Sequence, residues 1–163
     1  MKFAAACLTL LMPLCANALD PGRAAPDFSA RLLDGSTYKL ADHRGQVVLL
    51  HFWATWCDSC QAELDALRAY VRAHGSAPLS VVIVSMDDPE QHARVAQMAK
   101  TLPFPVALSS DTHADDYGRI WRLPMNFVID RKGVLRVDGG QGEPKPFDLP
   151  ALEKTLTPLL QNE

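Results

Sequence analysis

Cys57 and Cys60 stand three positions apart as C-x-x-C, with Asp58 and Ser59 between them. On a helix such residues are neighbours, about 5–6 Å between Cβ atoms, so two sulfurs can join and separate without moving the chain. The loop they would close is tiny and restrains the unfolded chain little, which makes stability a poor reason for the pair and redox chemistry a better one. A structural zinc site would want two further ligands of comparable local spacing, and His43, His51, His74, His92 and His113 are scattered. With a helix starting at Cys57, unbonded main-chain N–H groups and the positive end of the helix dipole favour its thiolate. Cys60 lies one turn deeper, at the top of an apolar stripe. That asymmetry makes Cys57 the sulfur that attacks a partner's disulfide and Cys60 the one that resolves the mixed disulfide.

The flanking sequence supplies the elements to hold this pair. Residues 47–53, Val-Val-Leu-Leu-His-Phe-Trp, form a nearly continuous apolar run of strand length and predict a central strand buried on both faces. From Cys57 the period turns helical through Leu64, Leu67 and Val71, with a stop near His74-Gly75. Residues 79–84 predict a second buried strand, parallel to the first through a right-handed crossover, which makes the class α/β. Before these, residues 28–33 and 37–40 flank Asp34-Gly35 and predict a small N-terminal hairpin. After them, Asp88-Pro89 predicts a capped helix to about Lys100, residues 106–108 a short strand, and Asp111 or Thr112 a short helix through Tyr117 and Ile120. Residues 126–129 and 134–137 predict a second hairpin, and Leu152 and Leu156 a closing helix that Pro158 should end or kink.

The chain has 163 residues and formal charge −3, with Lys+Arg 16 against Asp+Glu 19. No basic excess exists to neutralise phosphates or dock on an anionic membrane, so nucleic acid is not an expected partner. Lys2, an apolar stretch at 3–14 and Ala16-Asn17-Ala18 have the three parts of a secretory leader. The expectation is therefore a cleaved signal peptide over 1–18 and one domain over 19–163, periplasmic and not membrane-embedded. Cys7 and Cys15 would leave with the leader, and only the C-x-x-C pair would remain.

The segment from Phe52 to Cys60, Phe-Trp-Ala-Thr-Trp-Cys-Asp-Ser-Cys, closely resembles the active-site segment of thioredoxin-fold proteins, specifically the exported TlpA/ResA-like thiol-disulfide oxidoreductases. The likeness extends through Ala25-Pro26-Asp27-Phe28, Leu33-Asp34-Gly35 and Pro124-Met125-Asn126-Phe127-Val128-Ile129-Asp130. It implies a thioredoxin fold with an N-terminal β-hairpin and a strand-helix insertion, about 79–108, after the active-site helix. It implies that Pro124 is cis and faces the cysteines, and that the backbone of Leu123 pairs with an extended substrate segment; alone, Pro124 would read as an ordinary strand-starting proline. Trp56 resembles an exposed contact residue, against a purely structural tryptophan. Glu63, three residues after Cys60, is either a proton relay that disfavours the Cys60 thiolate or a solvated helix glutamate. His51 occupies the strand position where cytoplasmic thioredoxins keep a buried proton acceptor, or is a hydrogen-bonded core residue. Met125 tunes docking or fills space, and Arg119, Arg122, Arg131 and Lys132 read as a solvated edge.

The activity this implies is reduction or exchange of disulfides in other exported proteins by a monomer without bound cofactor or metal. The resemblance suggests client sites such as the haem-attachment cysteines of apocytochromes c or a copper-site cysteine pair. Electrons would come from a membrane thiol relay, since no glutathione pool reaches that compartment. Three rivals share the residues: a disulfide-forming oxidant, a Cu(I) module using Cys57, Cys60 and the soft ligand Met125, and a peroxidase, for which Thr55 is one position too close to Cys57.

Overall fold

The computed structural model describes residues 19–75, 78–143 and 146–161; the expected leader at 1–18 lies outside the described residues. The chain runs β1 (Ser29–Leu32), β2 (Thr37–Lys39), β3 (Val47–Trp53), α1 (Asp58–His74), β4 (Leu79–Ser85), α2 (His92–Ala99), β5 (Val106–His113), β6 (Met125–Ile129), β7 (Leu135–Asp138) and α3 (Leu149–Gln161). Short 3₁₀ turns occupy Leu40–His43, Pro89–Gln91 and Asp115–Tyr117. The strands form one seven-stranded sheet in the order β2-β1-β5-β4-β3-β6-β7.

Every residue of β3 is buried. It lies parallel to β4 from Val47↔Leu79 to Trp53↔Ser85 and antiparallel to β6 from Val48↔Ile129 to Phe52↔Met125. A strand paired on both sides and covered on both faces has no solvent face, hence its unbroken apolar run. The two crossovers, β3-α1-β4 and β4-α2-β5, step the same way across the sheet. Right-handedness therefore lays both helices on one face. There Val47, Leu49 and Trp53 pack with Leu64 and Leu67 of α1, Val95 of α2, and Leu152 and Leu156 of α3. The alternate residues Val48, Leu50 and Phe52 meet Tyr117, Met125 and Phe127 on the opposite face. Phe127 stands edge-to-face with Phe52 and Tyr117, at centroid separations of 5.8 and 5.0 Å.

Several expectations need correction. The first hairpin does not turn on Asp34-Gly35 alone. Only Gly35 has positive φ (86°), while the Asp34 carboxylate accepts from the Ser36 N–H and hydroxyl at 2.9 and 2.6 Å, giving a four-residue loop. Asp88 makes no side-chain cap: a 3₁₀ turn precedes α2, which ends at Ala99. Of the short helix expected from Asp111 or Thr112 through Tyr117 and Ile120, only a 3₁₀ turn at Asp115–Tyr117 forms; its start is strand, because β1 recruits β5 as far as Ser29↔His113. The local turn tendency survives as an irregularity in that pairing, where the Thr112 hydroxyl donates to the Ser109 carbonyl at 2.7 Å. Pro158 lies inside α3, which continues to Gln161. It is exposed and in the last turns, so the carbonyl it leaves unbonded is one that water can reach.

Gly139, just past β7, comes close to the backbone of β6: a Cβ there would stand 2.5 Å from the Asn126 carbonyl oxygen and 2.6 Å from its nitrogen. Gly139→Ala is expected to destabilise the fold by about 1–3 kcal/mol, measured as a lower urea midpoint with an unchanged slope.

Candidate active site

The site is built where β3 ends and α1 begins. Cys57 is the N-cap of α1, with extended backbone (φ −93°, ψ 101°), and its Sγ accepts the Cys60 N–H at 3.2 Å. A cap acceptor at this position meets one of the unbonded N–H groups and sits at the positive end of a 17-residue helix, both of which favour a thiolate over a thiol. Cys57 and Cys60 are joined as a disulfide, with Cα atoms 5.2 Å apart. Cys57 is 6% exposed and Cys60 fully buried.

The approach to Cys57 is clamped from below. Met86 N–H donates to the Trp53 carbonyl at 2.8 Å. Asp87, just beyond β4, is buried and accepts the Thr55 N–H at 2.9 Å, the Thr55 hydroxyl at 2.6 Å and the Ser85 hydroxyl at 2.8 Å. A buried carboxylate with three donors is a rigid anchor, and it fixes the backbone two residues before the cap. Sequence reasoning missed Asp87; its signal was the polar pair Ser85 and Asp87 at the C-terminal end of a parallel strand.

Trp56 is 64% exposed beside the cap, whereas Trp53 and Phe52 are core. The Leu123–Pro124 peptide bond is cis. Extending the Phe52↔Met125 register by one and two residues sets Pro124 beside Trp53 and Leu123 beside Ala54, so the cis segment adjoins the turn that carries Cys57. Met125 is buried on the sheet face opposite the cysteines, among Phe52 and Phe127. It fills space there and is not placed to bind a partner or, with Cys57 and Cys60, a copper ion. Arg122 is not a free edge cation: its guanidinium donates to the carbonyls of Gly139, Gln141 and Gly142 at 2.6–3.3 Å. Arg131 likewise donates to the Gly45 carbonyl, and the Lys132 carbonyl accepts from Arg44.

Glu63 is no solvated helix glutamate. It is 7% exposed, and its carboxylate accepts the Asn126 Nδ2–H and the Phe147 N–H, each at 2.8 Å, rather than touching Cys60. Burial raises its pKa above the usual range, opposed by these two hydrogen bonds and reinforced by the nearby Asp148 charge. It borders an open cleft of about 1030 Å³ that also has Ser59, Pro124, Asn126, Phe147 and Lys154 in its walls. His51 is 2% exposed and its Nδ1 shares a hydrogen bond of 2.7 Å with Asn126 Oδ1. Burial holds its pKa down to about 4, so its 3.8 Å approach to Glu63 is not an ion pair at neutral pH. Asn126, which joins the two, was read only as a strand residue. An amide inside an apolar strand was the signal available.

The chain matches the AhpC/TSA family over residues 21–138. It belongs to that family. Among curated members of similar sequence, the thioredoxin-like protein YneN of Bacillus subtilis is 32% identical over 120 residues, covering 72% of this chain and 70% of that protein. The thiol-disulfide oxidoreductase ResA of Geobacillus thermodenitrificans is 29% identical over 121 residues, 74% of this chain and 69% of that one. Among solved structures, a putative thiol:disulfide interchange protein DsbE from Chlorobium tepidum superposes with TM-score 0.70 at 29% identity, covering 88% of this chain and 99% of that one. This AhpC/TSA family member thus has the thioredoxin fold and is a thiol-disulfide oxidoreductase with a Cys57–Cys60 disulfide.

The depressed His51 pKa sets a pH dependence of stability. Above pH 6.5 the imidazole is neutral whether folded or not; as pH falls toward 4 the unfolded chain takes up a proton that the folded one refuses. Stability is therefore lost through that window, by about 3 kcal/mol in total. Glu63, with a raised pKa, contributes with the opposite sign. The stability difference between wild type and His51→Gln removes the Glu63 contribution common to both, and should shrink from pH 6.5 to 4 in urea titrations.

Proposed function

We propose that the protein is an exported reductase of disulfides in other exported proteins. The leader at 1–18 is removed, the single domain 19–163 acts in the periplasm as a monomer, and a membrane thiol relay restores its dithiol. The observation that carries this reading is the inequality of the two sulfurs. Cys57 caps the helix and keeps a 6% exposed edge, and Cys60 is fully buried behind it. In the reduced protein the Cys57 thiolate attacks a client disulfide and expels one client thiolate. Cys60 then attacks the Cys57 sulfur, expels the second client thiolate and closes the disulfide of the oxidised form.

Other residues take supporting roles in the same reading. Trp56 offers exposed apolar surface beside the nucleophile. Leu123 has neither its N–H nor its C=O in a hydrogen bond among the described residues, which leaves both for an extended client segment running past Pro124. Glu63 carries a proton to or from Cys60. Its buried negative charge also works against a Cys60 thiolate, and a dithiol not stabilised as thiolate gives up electrons more readily. The disulfides of apocytochrome c haem sites and of copper-site cysteine pairs are client classes that fit an exported reductase of this kind. The relatives bearing thiol-disulfide oxidoreductase names support the chemistry at this coarser level.

Equilibration with glutathione or dithiothreitol should give a reduction potential on the reducing side of about −200 mV. A value near the strongly oxidising end, about −120 mV, would reverse the direction of electron flow. A Cys60→Ser variant expressed in the native host should accumulate mixed disulfides with client proteins, all through Cys57. Attachment through any other residue would refute the assignment of roles.

A further inference from the structure

Cys60 is fully buried, so a proton leaving its thiol has no direct way to water. Three polar side chains lie in the same layer. His51 sits on β3 between Leu49 and Trp53, on the strand face whose residues pack with Cys57 and Cys60. Asn126 is paired with His51 across β3 and β6, and Glu63 on α1 reaches Asn126 and opens on the cleft.

With Glu63 ionised, the hydrogen bonds set the direction of each donor in this chain. An ionised Glu63 can only accept, so the Asn126 amide must present Nδ2 to it, as it does at 2.8 Å. Asn126 Oδ1 then faces His51 and can only accept, so His51 Nδ1 carries the hydrogen at 2.7 Å. The imidazole is neutral, which leaves Nε2 as a bare lone pair. That atom is buried with no hydrogen-bond partner. A buried acceptor without a donor is rare and asks for an explanation.

We propose that Asn126 is a positioning residue for the dithiol step: clamped between His51 Nδ1 and Glu63 Oε2, it holds open one proton route from Cys60 through His51 and Glu63 to the cleft. The inference rests on the reading of Glu63 as the proton carrier of Cys60. In the step, the Cys60 thiol gives its proton to His51 Nε2; as the Asn126 amide turns over and releases Nδ1, the imidazole and Glu63 Oε2 close from their resting 3.8 Å to hydrogen-bond reach, and the Nδ1 proton passes to the carboxylate. The products are a Cys60 thiolate, a neutral imidazole of the other tautomer and a neutral carboxyl, which discharges its proton into the cleft. No charge is created or lost, and the thiolate then attacks Cys57 as above. An amide suits this place because turning it over bonds the end state equally well. Oδ1 then accepts from the Glu63 carboxyl O–H and Nδ2 donates to the bare His51 Nδ1. A carboxylate or an alkyl group at 126 could not bond both states.

The ionisable groups around Glu63 are His51 from β3 at 3.8 Å and Asp148 from the loop before α3, with Arg122, Asp138, Glu143 and Lys154 in the walls of the same cleft. Arg122 is committed to backbone carbonyls. Asp148 raises the Glu63 pKa, which together with burial favours its taking a proton.

The test uses the reduced full chain with an aromatic disulfide, 5,5′-dithiobis(2-nitrobenzoate). The first nitrothiobenzoate released reports attack by Cys57, and the second reports closure by Cys60. Glu63→Gln, Asn126→Leu and the near-isosteric Asn126→Asp should each slow the second release by about tenfold or more and shift its pH profile, with the first release little changed. The double variant Glu63→Gln/Asn126→Leu should be no slower than the slower single one. In the wild type, ¹⁵N shifts of the His51 ring should show the Nδ1–H tautomer at pH 7, a measurement that needs no variant to fold. If Glu63→Gln slows the second release but neither Asn126 variant does, or if His51 carries its hydrogen on Nε2, the role of Asn126 is wrong and that of Glu63 stands. If Glu63→Gln leaves the second release unchanged, the Glu63 reading fails and the route fails with it.

Discussion

A helix that begins on a cysteine presents unbonded N–H groups and its positive end to one sulfur, and the remainder of this molecule serves to keep that meeting point fixed. The interaction is short-ranged: dipole and cap effects fade within the first turn, so Cys57 must be the cap itself. Its position depends on β3, which is paired with β4 over its whole length and with β6 from Val48 to Phe52, so that a one-residue slip would move every side chain into the opposite core layer. The Asp87 clamp extends that rigidity from the end of β3 to the residue before Trp56. Helix α1 is held in turn by its own apolar stripe against the sheet and α3.

The price of such a rigid core is that polar groups inside it must be bonded to one another. Between the sheet and α1 the chain places His51, Asn126 and Glu63 in a line, and the backbone of Phe147 closes it. Burial moves the two titratable members toward neutrality from opposite directions, lowering His51 and raising Glu63. A low-dielectric layer thereby holds both groups in a hydrogen-bonded line beside the buried Cys60.

What the sequence disclosed and what it withheld divide along physical lines. Strand β3 and helix α1 were legible because their apolar patterns are strong and uninterrupted and because Gly75, with φ 80°, ends the helix by its own conformational freedom. The cysteine spacing declared its chemistry without help from the fold. Strand β5 was legible only as far as Leu108, since its polar second half becomes a strand through pairing with β1, from the far end of the chain. Asp87 and Asn126 were missed for a related reason: each matters through residues more than 30 positions away, Thr55 in one case and Glu63 and His51 in the other. Pro158 does not end α3, because it falls in the last turns on an exposed side, where the hydrogen bond it removes is replaced by water.

The two margins of the sheet have their own significance. β2 has three residues and ends on Lys39, and β7 has four, with Arg136 and Asp138 among them and an irregular register against β6. Short, charged, uneven borders are poor templates for foreign strands. A protein that handles the disulfides of other proteins is thereby guarded from polymerising with them edge to edge.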